Sequence, residues 1–143
     1  MKAILTAIKT RLNSQLTYLG NRIYFLIDEV EGLPLETKFP CAALLDSGTQ
    51  ITEYPSRQIE NHFFVDVVFY QQILSPESSL MGKGTTKGIL DITEEGVAAL
   101  RDYNLGDAGI EYARPQSEDP AQALTNPAGD IMIAMKKVRM KYT

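Results

Sequence analysis

Apolar residues recur every four positions near the start of the chain, at Ile4, Ile8, Leu12 and Leu16, with Leu5 widening the stripe. Lys2, Lys9, Arg11 and Gln15 lie largely outside it. This period predicts an amphipathic helix over residues 3–16. Gly20-Asn21 then reads as its stop. Arg22–Ile27 is aromatic and β-branched, which suits a strand. Residues 28–38 read as an acidic loop containing Gly32 and Pro34. Pro40–Leu45 reads as a short apolar strand ended by the turn cluster Asp46-Ser47-Gly48.

The strongest strand signal lies over residues 57–72. The odd positions Phe63, Val65, Val67 and Phe69 are all apolar and should line one buried face. The even positions Phe64, Asp66, Val68 and Tyr70 are mixed, as expected of a face that is half-buried or meets another subunit. A strand this long should project beyond a small sheet. Ser75–Gly88 looks like loop, and a second helix is expected at about 86–103, capped by Thr86 and carrying Ile89, Ile92, Val97, Leu100 and Tyr103 on one face. Gly109–Ala113 reads as a strand. Residues 114–130 contain Pro115, Pro120 and Pro127, and predict an extended excursion with a helical turn or two near 119–124. A final strand is expected over 131–142.

This order suits an α+β domain. It predicts a mainly antiparallel sheet of about four to six strands, with the N-terminal helix and a second helix packed on one face. The 143 residues fit a single domain over 1–143, with the Pro-marked excursion at about 114–130. Ile8, Leu12, Phe63, Val65, Val67, Ile92 and Leu100 are the expected core positions.

Composition changes the picture mainly by what is scarce. There is one cysteine, Cys41, one histidine, His62, and no tryptophan. No intrachain disulfide can form, and a usual four-ligand zinc site cannot be assembled from one His and one Cys. The apolar runs are far shorter than the roughly 20 residues a membrane span needs, and Lys9 interrupts the N-terminal stretch before a signal-peptide core can form. A soluble protein made in a cytoplasm is expected.

The net charge of −4 is unevenly spread. Residues 1–130 hold 10 Lys/Arg against all 18 Asp/Glu, whereas residues 131–143 hold Lys136, Lys137, Arg139 and Lys141 and no acid. An acidic body thus ends in a basic strip, which implies two surfaces with different partners or a lysine-protected edge strand.

The candidate chemistry is thin. Gly82–Gly88 resembles a phosphate-binding loop in composition, but Glu77 stands where the first Gly belongs and Lys83 is followed by Gly84 rather than Ser or Thr. His62 lies where the long strand begins and has no nucleophile motif beside it. A hydrolase using His62 with Asp66 or Ser47 is the remote alternative. Cys41 sits in an apolar strand and reads as a small core residue. Asp28, Glu29, Glu31 and Glu36 lack the spacing of a calcium loop and read as a solvated acidic segment. The basic strip has only Tyr142 as a stacking aromatic, so an acidic protein surface suits it better than free DNA.

The order of elements resembles the tail terminator proteins of long-tailed bacteriophages. The resemblance is carried by the helix Ile4–Leu16 leading into Arg22–Ile27, and by Leu33-Pro34-Leu35 followed by Phe39-Pro40-Cys41-Ala42-Ala43-Leu44. The long strand Phe63–Tyr70 continues it. Gly88-Ile89-Leu90-Asp91-Ile92 then opens a helix ending in Ala99-Leu100, before Gly109-Ile110 and the basic closing strand. Together these cover nearly the whole chain. Head-proximal neck proteins, of the head-completion or stopper kind, share this layout and are the nearer alternative.

The resemblance implies a structural virion protein rather than an enzyme, with no cofactor. Such a protein forms a ring, usually a hexamer, on the last ring of the tail-tube protein at the head-proximal end of the tail. It ends tube polymerisation and meets the head–tail connector or neck protein. Assembly would take place in the host cytoplasm, and genomic DNA would only pass through a lumen that the acidic body could make negative. On this reading Lys136, Lys137, Arg139 and Lys141 should meet acidic groups on a neighbour or on the tube. Glu29, Glu31 and Glu36 are candidate acidic partners, and Arg114, Gln116 and Asp119 should reach the next subunit from the excursion.

Overall fold

A computed structural model describes residues 1–28, 33–34, 37–105, 110–111, 113–125, 129 and 131–143. Helix α1 spans Lys2–Gln15 and buries Ile4, Ile8 and Leu12, as the four-residue period requires. A single 3-10 turn, Thr17–Leu19, follows and closes on Gly20 in the left-handed region (φ 55°). Strand β1 is only Ile23–Phe25. Two long strands come next, β2 over Cys41–Glu53 and β3 over Ile59–Gln72. Helix α2, Pro76–Met81, and helix α3, Ile89–Leu100, precede three further strands. These are β4 over Ala113–Glu118, β5 over Gln122–Thr125 and β6 over Met132–Tyr142.

The strands form one six-stranded sheet in the order β1-β2-β3-β6-β4, with β5 also pairing β6. Every pairing is antiparallel except β1 with β2, so the architecture is α+β with an open mixed sheet. β4 lies against Val138–Tyr142 and β5 against Met132–Met135, so the two share the outer edge of β6. Pro115 is tolerated because β4 is an edge strand. The register shifts between Pro115 and Ser117, leaving Gln116 at a bulge.

Period-2 alternation along β3 places Val65, Val67 and Phe69 on the face covered by α1 and α3, where they join Ile8, Leu12, Ile92 and Leu100 in the larger core. Phe63 packs at its margin and is half-buried. Full burial of an aliphatic side chain contributes about 1.5–3 kcal/mol. α3 lies very close to the sheet: a Cβ on Gly96 would fall 2.2 Å from the Phe69 ring tip. α1 is tied to the end of α3 by Arg11, whose Nε donates to the Ala99 carbonyl at 2.9 Å and whose guanidinium lies over the Tyr103 ring at 4.0 Å. The opposite face holds a smaller core of Leu33, Cys41, Ala43, Leu45, Val68, Tyr70, Ile133 and Met135.

Several expectations need correction. Asp46-Ser47-Gly48 does not end a strand: β2 runs through it with a bulge, with Gly48 at φ 101° and its N–H donating to Asp46 Oδ1 at 2.8 Å. Turn residues serve a bulge equally well. The second helix begins at Ile89, not near 86, because Thr86 closes a tight turn with Lys83 through two backbone hydrogen bonds of 3.0 Å. The helical turn expected near 119–124 is replaced by β5, since pairing with β6 outweighs a short segment's helix propensity. The supposed loop Ser75–Gly88 contains α2, opened by a Ser75 cap and Pro76.

Candidate functional site

The hairpin of β2 and β3 is longer than the sheet it belongs to. β1 borders β2 only at Ala42–Leu44, and β6 borders β3 only as far as Phe63, opposite Tyr142. Beyond that point, from Gln50 opposite His62 to Glu53 opposite Ile59, the two strands pair only with each other among the described residues. The result is a two-stranded arm. Its tip is a tight turn in which Arg57 N–H donates to the Tyr54 carbonyl and Tyr54 N–H to the Gln58 carbonyl, each at 2.9 Å. Pro55 suits the second turn position, and Arg57 adopts φ 66° to close the turn.

An arm of this kind buries little by itself, and a lone two-stranded hairpin is marginal in water. It nevertheless exposes apolar side chains: Ile51 is 67% exposed, Ile59 63% and Tyr54 43%. By register, Ile51, Ile59 and Phe63 share the face that carries α1 and α3 lower in the sheet; Phe63 still packs at the margin of that core, whereas Ile51 and Ile59 stay exposed. Along the outer edge of the arm, where β6 has ended, lies an open groove of about 510 Å³. Its lining residues include the apolar Ile59 and Phe63 and the acidic Glu60 and Glu111. Glu60 also accepts from the Tyr54 hydroxyl at 2.9 Å.

At the far end of β3 a second exposed apolar group gathers in and beside α2. Leu74 is 81% exposed, Leu80 39%, Met81 60% and Met132 49%. The adjoining turn presents Lys83, which is exposed and has no ion pair among the described residues. Behind this turn, Lys87 Nζ meets Glu95 Oε1 at 2.7 Å, and the Tyr18 hydroxyl donates to Glu95 Oε2. Burial, then the Glu95 hydrogen bond, raises the Tyr18 pKa. Burial pushes the Glu95 carboxyl up, but the bonds from Lys87 and Tyr18 outweigh it and hold it below its usual value. Gln71 Nε2 donates to the Lys87 carbonyl at 2.6 Å, so the Gly-rich segment is anchored to the sheet at this point.

The basic strip is largely matched within the chain. Arg139 Nε and Nη2 reach the two Asp66 oxygens at 2.9 and 3.3 Å. Lys136 Nζ lies 3.2 Å from Glu118 Oε1 and donates to the Asp119 carbonyl at 3.0 Å. Lys137 Nζ lies 3.5 Å from Asp119 Oδ2. Lys141 has no ion pair among the described residues. Arg114 and Gln116 are exposed on edge strand β4, and Asp119 is half-buried beside it. Glu29, Glu31 and Glu36 lie outside the described residues.

His62 Nε2 lies 3.1 Å from Glu60 Oε1, and its Nδ1 is 2.9 Å from Thr143 Oγ1. Asp66 is four residues further along the same strand, about 13 Å away at strand rise, and is held by Arg139. The structure therefore does not bring the two together. Cys41 is buried, and that burial pushes its thiol up to about 12, away from thiolate chemistry. Among the described residues no group of three or more His, Cys, Asp or Glu side chains is placed to hold a metal ion, and no helix is long and apolar enough to cross a membrane.

The projecting strand is legible in the sequence from its length; the apolar arm and the α2 end carry weaker signals. Isolated Ile51 and Ile59 beside Tyr54-Pro55-Ser56-Arg57, and Ser75-Pro76 before Leu80-Met81, are the signals that mark them. The chain matches no known protein family and no curated protein.

Proposed function

We propose that this chain is a structural virion protein that self-associates into a ring, caps the end of a phage tail tube and joins the tail to the head connector. The observation that carries the reading is the arm of β2 and β3. Among the described residues it extends past the strands that flank it and holds Ile51 and Ile59 largely in solvent, where their burial contributes little to a lone subunit. Burial against another subunit gives those side chains a role, and a hexameric ring is the arrangement that the resemblance to tail terminators implies. Its element order also supports the reading: an N-terminal helix, a long central strand, a helix and a closing strand in an α+β fold. The chain's partners on this proposal are copies of itself, the tail-tube protein and the connector or neck protein, and its place is the head-proximal end of the tail.

Fractionation of infected cells tests this. A terminator co-purifies with free tails. Retention on tail-less heads would instead identify a neck protein of the same architecture, and recovery only as a free soluble species would contradict both.

A further inference from the structure

The arm and the α2 end differ in kind and lie at opposite ends of one strand. Ile59 opens β3 and Gln72 closes it, a span of roughly 40 Å at strand rise. The arm of one molecule therefore cannot reach its own α2 end. The two surfaces are also chemically complementary. The arm groove is lined by the apolar Ile59 and Phe63 together with the acidic Glu60 and Glu111. The α2 end combines exposed Leu80 and Met81 with the exposed cation of Lys83, two residues further on. The minor charges match as well, since the arm tip carries Arg57 and the first turn of α2 carries Glu77.

We propose that the α2 end of one copy, Leu80, Met81 and Lys83, seats in the arm groove of a second copy. Leu80 and Met81 cover Ile59 and Phe63, and Lys83 meets Glu60 and Glu111. Because the two surfaces differ, the contact is heterologous: each subunit offers one groove and one α2 end, and repetition closes a ring or continues as a chain. This inference rests on the self-association proposed above and assigns the residues that make it.

Two exposed-site variants test it by sedimentation velocity and light scattering. Ile59→Asp damages the groove and leaves the α2 end intact, whereas Met81→Asp does the reverse. Each variant alone should be monomeric at concentrations where the wild type assembles, a loss of at least 100-fold in association. Mixed in equal amounts, they should form a two-chain species and stop there, because only one intact interface can form. Circular dichroism and melting temperatures matching the wild type show that both variants are folded. As a second measure, Lys83→Glu should weaken assembly at least tenfold, and adding Glu111→Lys to it should restore most of the loss.

A Met81→Asp variant that still assembles, or a mixture that stays monomeric, overturns the inference while leaving a ring formed by other surfaces. A wild type that is monomeric throughout overturns it together with the ring. Assembly and complementation as described, in a protein absent from tails, would uphold the contact and remove the tail-capping role.

Discussion

Arg139 on β6 lays its guanidinium across the carboxylate of Asp66 on β3, with both oxygens engaged at 2.9 and 3.3 Å. The two residues are cross-strand partners in the sheet register. Asp66 is 8% exposed, so its charge depends on this partner. Arg139→Ala should destabilise the fold by about 1–2 kcal/mol, the cost of an unmatched, nearly buried carboxylate reduced because the Arg139 side chain is 43% exposed. Asp66→Asn in the same background should recover part of the loss. Urea unfolding of the two variants checks this, and a neutral Arg139→Ala would show the pair to be decorative.

Gly96 is the contact point of α3 on the sheet. A methyl group there would overlap the Phe69 ring tip, with only 2.2 Å between them. Gly96→Ala should therefore cost about 1–3 kcal/mol despite the better helix propensity of Ala. Adding Phe69→Leu should be less damaging in that background than alone, because it removes the clashing atoms. A double-mutant cycle by chemical denaturation reads this coupling, and strict additivity would argue against close approach of the helix.

The larger core sets a different scale. Ile92 on α3 and Ile8 on α1 are both fully buried in this core. Ile92→Ala or Ile8→Ala should each lose about 2–5 kcal/mol. Ile51→Ala on the arm should lose less than about 0.5 kcal/mol in the dissociated chain. Thermal melts at low protein concentration separate the two classes.

Acid sensitivity should arise partly at Glu95. Its bonds to Lys87 and Tyr18 lower its folded-state pKa from the ordinary 4.5. A depressed carboxyl contributes stability that is present above its unfolded pKa and lost as pH falls through the folded value. Stability should thus decline below about pH 4.5, and Glu95→Gln should flatten that decline. The difference in melting temperature should be no more than a few degrees, because the Glu95 side chain is 40% exposed. Melting curves between pH 3 and 7 provide the comparison; identical slopes would count against the assignment.

The parts of the fold with strong period were legible in the sequence. Ile4, Ile8 and Leu12 on α1, and Val65, Val67 and Phe69 on β3, each repeat at the spacing of one buried face. Where one short motif serves two geometries, the sequence is ambiguous. Asp46-Ser47-Gly48 makes a bulge rather than a turn, so the full reach of β2 was hidden. The segment around Gln122–Thr125 is a strand only because β6 offers it an edge. The basic strip shows the limit most clearly. Lys136, Lys137 and Arg139 could be counted in the sequence, but their partners Glu118, Asp119 and Asp66 come from other strands, and only the register brings them together. Charge reversal at Lys137 or Arg139 should therefore disturb the fold itself as well as any neighbour, which makes the arm the better place to probe assembly.

Tail capping is measured by adding the purified protein to its cognate tail-tube protein during polymerisation and following tube length by negative-stain electron microscopy. Tubes should stop growing, with a ring of this protein on one end, and Ile59→Asp should leave growth unchecked. Tubes that elongate as freely with the wild type as without it, and carry no ring at either end, would contradict tail capping.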